Sequence, residues 1–179
     1  AFMAMLSCFA VSVNAQVAKV GNTEYATLDE AIAAAQNGET ITLIDNVVLA
    51  ERVTIPADKT LTIDLNGKSI SMEESIIATA YAINNLGNLT ITDGVGNGSI
   101  NARGIYNGYG DGGANVATAK IIVLSGTINA KGTNGGGAAI FNYGVADIQG
   151  GTFTSVASYA IALQTGSTMT IGEATFFKR

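Results

Sequence analysis

The sequence predicts an all-β chain: a right-handed, single-stranded parallel β-helix of about five coils, preceded by a short N-terminal capping α-helix. Three observations predict it. A phrase of three short apolar runs separated by turns recurs along the chain, as in Ala139–Phe153. Its base period is near 21–22 residues, and extra residues enter only at turns. The composition agrees: 47% of the 179 residues are hydrophobic and 13% charged, with 22 glycines and one proline. That balance suits short strands and tight corners rather than long polar helices.

The first residues, AFMAMLSCFAVSVNAQ, read as an export signal. Residues 1–13 are almost wholly apolar, and Val13-Asn14-Ala15 fits a small-x-small cleavage site before Gln16. Residues 1–15 are therefore assigned to a signal-peptide remnant, too short for a transmembrane span. Cys8, in Met5-Leu6-Ser7-Cys8, offers lipidation as an alternative. Either route exports the protein, so a secreted or cell-surface location is expected.

Residues 16–38 form an N-terminal segment with one helix. Thr27-Leu28-Asp29-Glu30 has the spacing of a capping box, and AIAAAQ is a strong helix former. Leu28, Ile32 and Ala35 share one face, and Asn37-Gly38 is the expected C-cap. The helix is expected over 27–37, placed to plug the open end of the first coil.

Residues 39–179 form the solenoid. Thr40–Ile44, Arg52–Ile55 and Thr60–Leu65 alternate with period two, the last closed by Asn66-Gly67. Aligning the phrases gives first-run anchors at Ile55, Ile83, Ile105, Ile140 and Ile161, spaced 28, 22, 35 and 21 residues apart. Second runs centre on Ile63, Ile91, Val123, Ile148 and Ile171. Third runs centre on Ile70, Ile100, Ile128, Phe153 and Phe176. Insertions fall at 93–98, 109–118 and 131–137, where loop length costs little. Asn85, Asn107 and Asn142 each lie two residues after an anchor, so they share inward parity and read as a structural ladder of stacked amides. The chain stops in mid-coil at Phe177-Lys178-Arg179, so the natural protein is expected to continue, with an apolar edge at the last coil.

From 24 to 179 the chain resembles the pectin-lyase-like right-handed parallel β-helix superfamily. The resemblance rests on ATLDEAIAAAQNGETITLIDN (26–46), on VTIPADKTLTIDLNGKSI (53–70), and on the recurring small residue, Ile and Asn followed by an apolar run and Gly-Thr-Ile. Secreted and surface proteins of gut bacteria are similar at their starts. The fold hosts lyases, hydrolases and adhesins alike, so it does not fix an activity. Members that hydrolyse polygalacturonans use clustered aspartates with a nearby His-Gly; this chain has no histidine and no Asp-Asp pair. Members that cleave by elimination use acidic calcium ligands on adjacent coils and a Lys or Arg base. The acidic candidates here are Asp64, Asp93, Asp111, Asp147 and Glu173, with Arg103 and Lys120 the nearest cations. Asp64 and Asp93 are expected to approach across one coil, whereas Asp147 does not align with them. They read as turn carboxylates, and no catalytic residue is assigned.

The remaining chemistry is narrow. Without histidine, the commonest general base and metal ligand is missing. A single cysteine makes no disulfide framework. The net charge of −5 and the scattered Lys and Arg exclude a nucleic-acid groove. Gly67-Lys68-Ser69 lacks the rest of a phosphate loop, and the Gly-Asp corners lack tandem calcium repeats, so no cofactor or metal is assigned. Tyr106, Tyr109 and Tyr143 are the candidate ligand-binding residues. Tyr106 and Tyr143 are read as equivalent positions on adjacent coils, where outward rings would stack on sugars; the alternative is packing against the 109–118 loop. The expected function is a non-catalytic, exported solenoid, adhesin-like or glycan-binding, with a polysaccharide or surface glycan as partner. The alternative is the N-terminal part of a polysaccharide lyase or glycoside hydrolase.

Overall fold

Three parallel sheets wrap one apolar interior. The computed structural model describes residues 15–133, 137–157 and 159–178. The export-signal and Cys8 readings fall on residues 1–14, outside the described residues, as do part of the 131–137 insertion and Arg179.

The chain opens with an antiparallel hairpin, β1 (Ala18–Val20) and β2 (Thr23–Tyr25), which the alternation analysis missed because each strand is three residues long. Helix α1 (Leu28–Ala34) follows. The capping box forms: Glu30 N donates to Thr27 Oγ1 at 3.1 Å, and Thr27 N donates to Glu30 Oε2 at 3.1 Å. A cap of this kind contributes about 1 kcal/mol. Leu28, Ala31, Ile32 and Ala35 join the buried core.

The helix ends earlier than expected. Ala35, not Asn37-Gly38, is the C-cap, in an extended conformation. The last carbonyls are met by Lys59, whose Nζ donates to Ala33 O and Ala35 O, as cations near a helix C-terminus do. Asn37 instead ties the end of the N-terminal segment to the turn into the second coil. Its Oδ1 accepts from Thr60 N at 2.7 Å and its Nδ2 donates to Asp58 O at 3.1 Å.

Coil one comprises β3 (Thr40–Leu43), β4 (Val47–Leu49) and β5 (Val53–Ile55); coil two β6 (Thr60–Asp64), β7 (Ser69–Met72) and β8 (Ile83–Asn85); coil three β9 (Asn88–Thr92), β10 (Ser99–Ala102) and β11 (Ile105–Asn107). Coil four comprises β12 (Lys120–Val123), β13 (Thr127–Ala130) and β14 (Ala138–Asn142); coil five β15 (Val145–Ile148), β16 (Thr152–Ser155) and β17 (Tyr159–Leu163). Strands β18 (Thr168–Ile171) and β19 (Thr175–Lys178) follow. First strands stack into sheet A, with β1 and β2 added antiparallel at its edge; second strands form sheet B and third strands sheet C.

The registers follow the apolar pattern. Ile41, Ile63, Ile91, Val123, Ile148 and Ile171 align in sheet A. Val47, Ile70, Ile100, Ile128, Phe153 and Phe176 align in sheet B. One anchor is corrected in sheet C: Ile83 pairs with Val53, and Ile55 pairs with Asn85. Val53 and Ile55 both point inward, so parity alone does not choose between them; Val53 N bonding Ala82 O fixes the register. Gly104 makes the turn from β10 to β11 at φ 142°, where a Cβ would lie 1.7 Å from Ala138 O. Only glycine tolerates that approach.

Candidate functional site

The outer face of sheet C gathers a cluster of five ring side chains. Its central outward column runs Thr54, Asn84, Tyr106, Phe141 and Ala162. Tyr81 enters just before β8, Tyr109 just after β11 and Tyr143 just after β14. The rings of Tyr81 and Tyr106 stack at 3.7 Å, and Tyr106 stacks on Tyr109 at 4.5 Å, each pair within 22° of parallel. Phe141 and Tyr143 form a second stack at 5.4 Å, and Tyr143 lies 5.3 Å from Tyr109.

The equivalence of Tyr106 and Tyr143 is corrected. Tyr106 pairs with Phe141 across the sheet, and Tyr143 lies two residues further along. The two tyrosines still meet edge to face, at 6.1 Å. Tyr106 stacks on both Tyr81 and Tyr109, so much of its ring is taken up within the cluster.

Arginines border the stack. The exposed Arg52 holds its guanidinium 5.6 Å from the Tyr106 ring centre, and Arg103 stands 5.6 Å from that of Tyr81, within cation–π range. An open groove of about 480 Å³ runs beside them, lined by Arg52, Thr54, Ile76, Thr79, Tyr81 and Tyr106 among others. Burial, then the neighbouring Tyr106, pushes the Tyr81 hydroxyl up to about 12, against the opposing pull of Arg103. Burial and the neighbouring tyrosines also raise Tyr106 and Tyr143. All three hydroxyls therefore stay protonated donors at neutral pH. The 109–118 loop is tied to this face: Asn84 Nδ2 donates to Tyr109 O at 2.9 Å, and Tyr109 bridges to Asn115. Asn84 Oδ1 is buried with no hydrogen-bond partner.

Tyr81, Phe141 and Arg52 escaped the sequence reading, although a signal existed. Phe141 follows its anchor Ile140 by one residue, as Tyr106 follows Ile105. Tyr81 and Arg103 both stand two residues before their anchors, and Arg52 directly precedes the corrected anchor Val53.

The asparagines lie on the opposite, inner side of the same strands. Asn85 Nδ2 donates to Asn107 Oδ1 at 2.7 Å, and Asn107 Nδ2 donates to Asn142 Oδ1 at 2.7 Å. Each amide also donates to a backbone carbonyl at the next turn: Lys120 O, Val145 O and Thr168 O, all at 2.9 Å. All three residues are fully buried. The column is bounded by Ile55 before Asn85 and Leu163 after Asn142, and Asn85 Oδ1 has no donor.

Asp64 and Asp93 meet across one coil, at the turns from sheet A to sheet B. Asp64 Oδ1 accepts from Asn66 N and from Gly94 N of the next coil. Asp93 Oδ1 accepts from Gly67 N of the previous coil, and its Oδ2 from Gly98 N. Each carboxylate thus ties its own turn to its neighbour's. Asp147 pairs with Ile122 and Thr170, out of line with Asp64. A polar groove of about 570 Å³ follows this corner, lined by Asp93, Asn97, Ser125, Thr152 and Glu173 among others. Among the described residues, no three His, Cys, Asp or Glu side chains are grouped to hold a metal ion, and no helix is long and apolar enough to cross a membrane. No protein-family model, no curated protein and no solved structure matches this chain.

Proposed function

We propose that this chain is an exported, surface-displayed β-solenoid that binds glycans on the outer face of sheet C and performs no chemistry there. The observation that carries this reading is the meeting of Tyr81, Tyr106, Tyr109, Phe141 and Tyr143 with Arg52 and Arg103 beside an open groove. Sugars have apolar CH faces and hydroxyl rims. Ile76 and the Tyr81 and Tyr106 rings that line the groove suit the first; the tyrosine hydroxyls, Thr54, Thr79 and Arg52 suit the second. The solenoid is rigid scaffolding, and its insertions bring the contacting groups to one face. In this reading the coils wind right-handed, as in the pectin-lyase-like superfamily, and α1 covers the open end of coil one. The enzymatic alternative is less favoured, because Asp64 and Asp93 already hold turn backbone.

A glycan array followed by calorimetry on the chain tests the proposal. Arg52→Ala is expected to weaken binding about tenfold, the scale of a desolvated cation contact. Tyr106→Phe, which keeps the stack and removes only the hydroxyl, is expected to weaken it several-fold. Failure of every glycan to bind, or full affinity in both variants, would remove the reading.

A further inference from the structure

Asn-Gly is the dipeptide most prone to losing its side-chain amide, because glycine leaves the following backbone nitrogen unshielded. The described residues contain four: Asn37-Gly38, Asn66-Gly67, Asn97-Gly98 and Asn107-Gly108. Three are held twice, once at the side chain and once at the glycine nitrogen. The Asn37 amide bonds Asp58 O and Thr60 N, while Gly38 N donates to Thr60 O. Asn66 Nδ2 donates to Leu43 O, while Gly67 N donates to Asp93 Oδ1. Asn107 is buried in the ladder, while Gly108 N donates to Asn85 O.

Asn97 is different. It is exposed, in the left-handed region at φ 70°, and its side chain makes no hydrogen bond among the described residues. The restraint that remains is at the nitrogen: Gly98 N donates to Asp93 Oδ2 at 2.7 Å.

We propose that Asn97 is a site of non-enzymatic deamidation and that the Asp93 carboxylate governs its rate. The Gly98 nitrogen gives its proton to water and attacks Asn97 Cγ. The N–Cγ bond forms, the Cγ–Nδ2 bond breaks, and the amide nitrogen takes a proton from water and leaves as ammonia. The resulting succinimide takes up one water at either carbonyl, giving aspartate or isoaspartate. A carboxylate accepting the Gly98 N–H opposes this twice: it favours the protonated nitrogen, and it tethers that nitrogen to the turn. The same carboxylate restrains Gly67 through its other oxygen. Either product adds a negative charge to the corner groove that already holds Asp93 and Glu173.

The test is peptide mapping by mass spectrometry during prolonged incubation of the folded chain at 37 °C and mildly alkaline pH, wild type beside Asp93→Ala. In the wild type, Asn97 is expected to convert before Asn37, Asn66 and Asn107. In Asp93→Ala, Asn97 is expected to convert about tenfold faster or more, the factor for losing a charge-assisted hydrogen bond. Asn107 reports unfolding, since its conversion requires the ladder to open. Earlier conversion of any of the other three in the wild type would overturn the proposal. So would an unchanged Asn97 rate in Asp93→Ala, or an equal acceleration at Asn107.

Discussion

Within the ladder, the three asparagines are chemically similar but not energetically equivalent. Asn107 both receives from Asn85 and gives to Asn142. Replacing it with alanine strands an N–H of Asn85, leaves Asn142 Oδ1 with Gly144 N alone, and opens a void between coils. Asn85 gives to Asn107 but already carries an acceptor with no donor, so its removal also relieves a standing penalty. Asn107→Ala is expected to destabilise the chain by about 3 kcal/mol, and Asn85→Ala by roughly 1–2 kcal/mol less, given that a stranded buried polar group costs about 1–3 kcal/mol. Urea denaturation of the two variants checks the order. Equal losses would show that Asn85 Oδ1 is satisfied in solution, for example by a buried water.

Among the elements, the aromatic stack joins coil to loop. Tyr81 sits at the end of the 73–82 connection, Tyr106 on β11 and Tyr109 at the start of the 109–118 loop, so the stack closes both insertions over sheet C. Folding raises the Tyr81 hydroxyl from the ordinary 10.0 to about 12. The folded state therefore keeps its proton after the unfolded chain has lost it. The resulting stability is fully present below pH 10 and is lost as pH rises towards 12. Denaturation midpoints are expected to fall through that window, and Tyr81→Phe is expected to flatten part of the fall. This face was only half legible in the sequence. Period-two alternation places Tyr106 outward, but the ring partners come from turns, whose paths follow insertions rather than periodicity. Counting from Ile55 instead of Val53 also hid Arg52. By contrast, the second- and third-run columns were legible throughout, because a one-residue slip would turn every core side chain to solvent. The opening hairpin and β4 were not, since three-residue strands carry too little alternation to count.

For the whole molecule, burial is uneven along the axis. Ile148 and Phe153 are fully buried, while their aligned neighbours one coil on, Ile171 and Phe176, are 48% and 40% exposed. Leu163 is 49% exposed beside the fully buried Asn142. In a stacked array, stability is close to a sum of neighbour terms, and within the 179 residues strands β17, β18 and β19 each pair with one strand, β14, β15 and β16. Hydrogen exchange is expected to reach these strands well before β6 and β9. Uniform protection would mean that the stack unfolds as one unit. The asparagine column also gives the molecule a direction. Every amide-to-amide bond in it runs the same way, so the two ends differ: the Asn85 end wants a proton donor, whereas both amide hydrogens of Asn142 are already given to Gly144 O and Thr168 O. Similar coils can therefore add to this column in one orientation only. A coil inserted upside down would set acceptor against acceptor, and the interior itself would reject it.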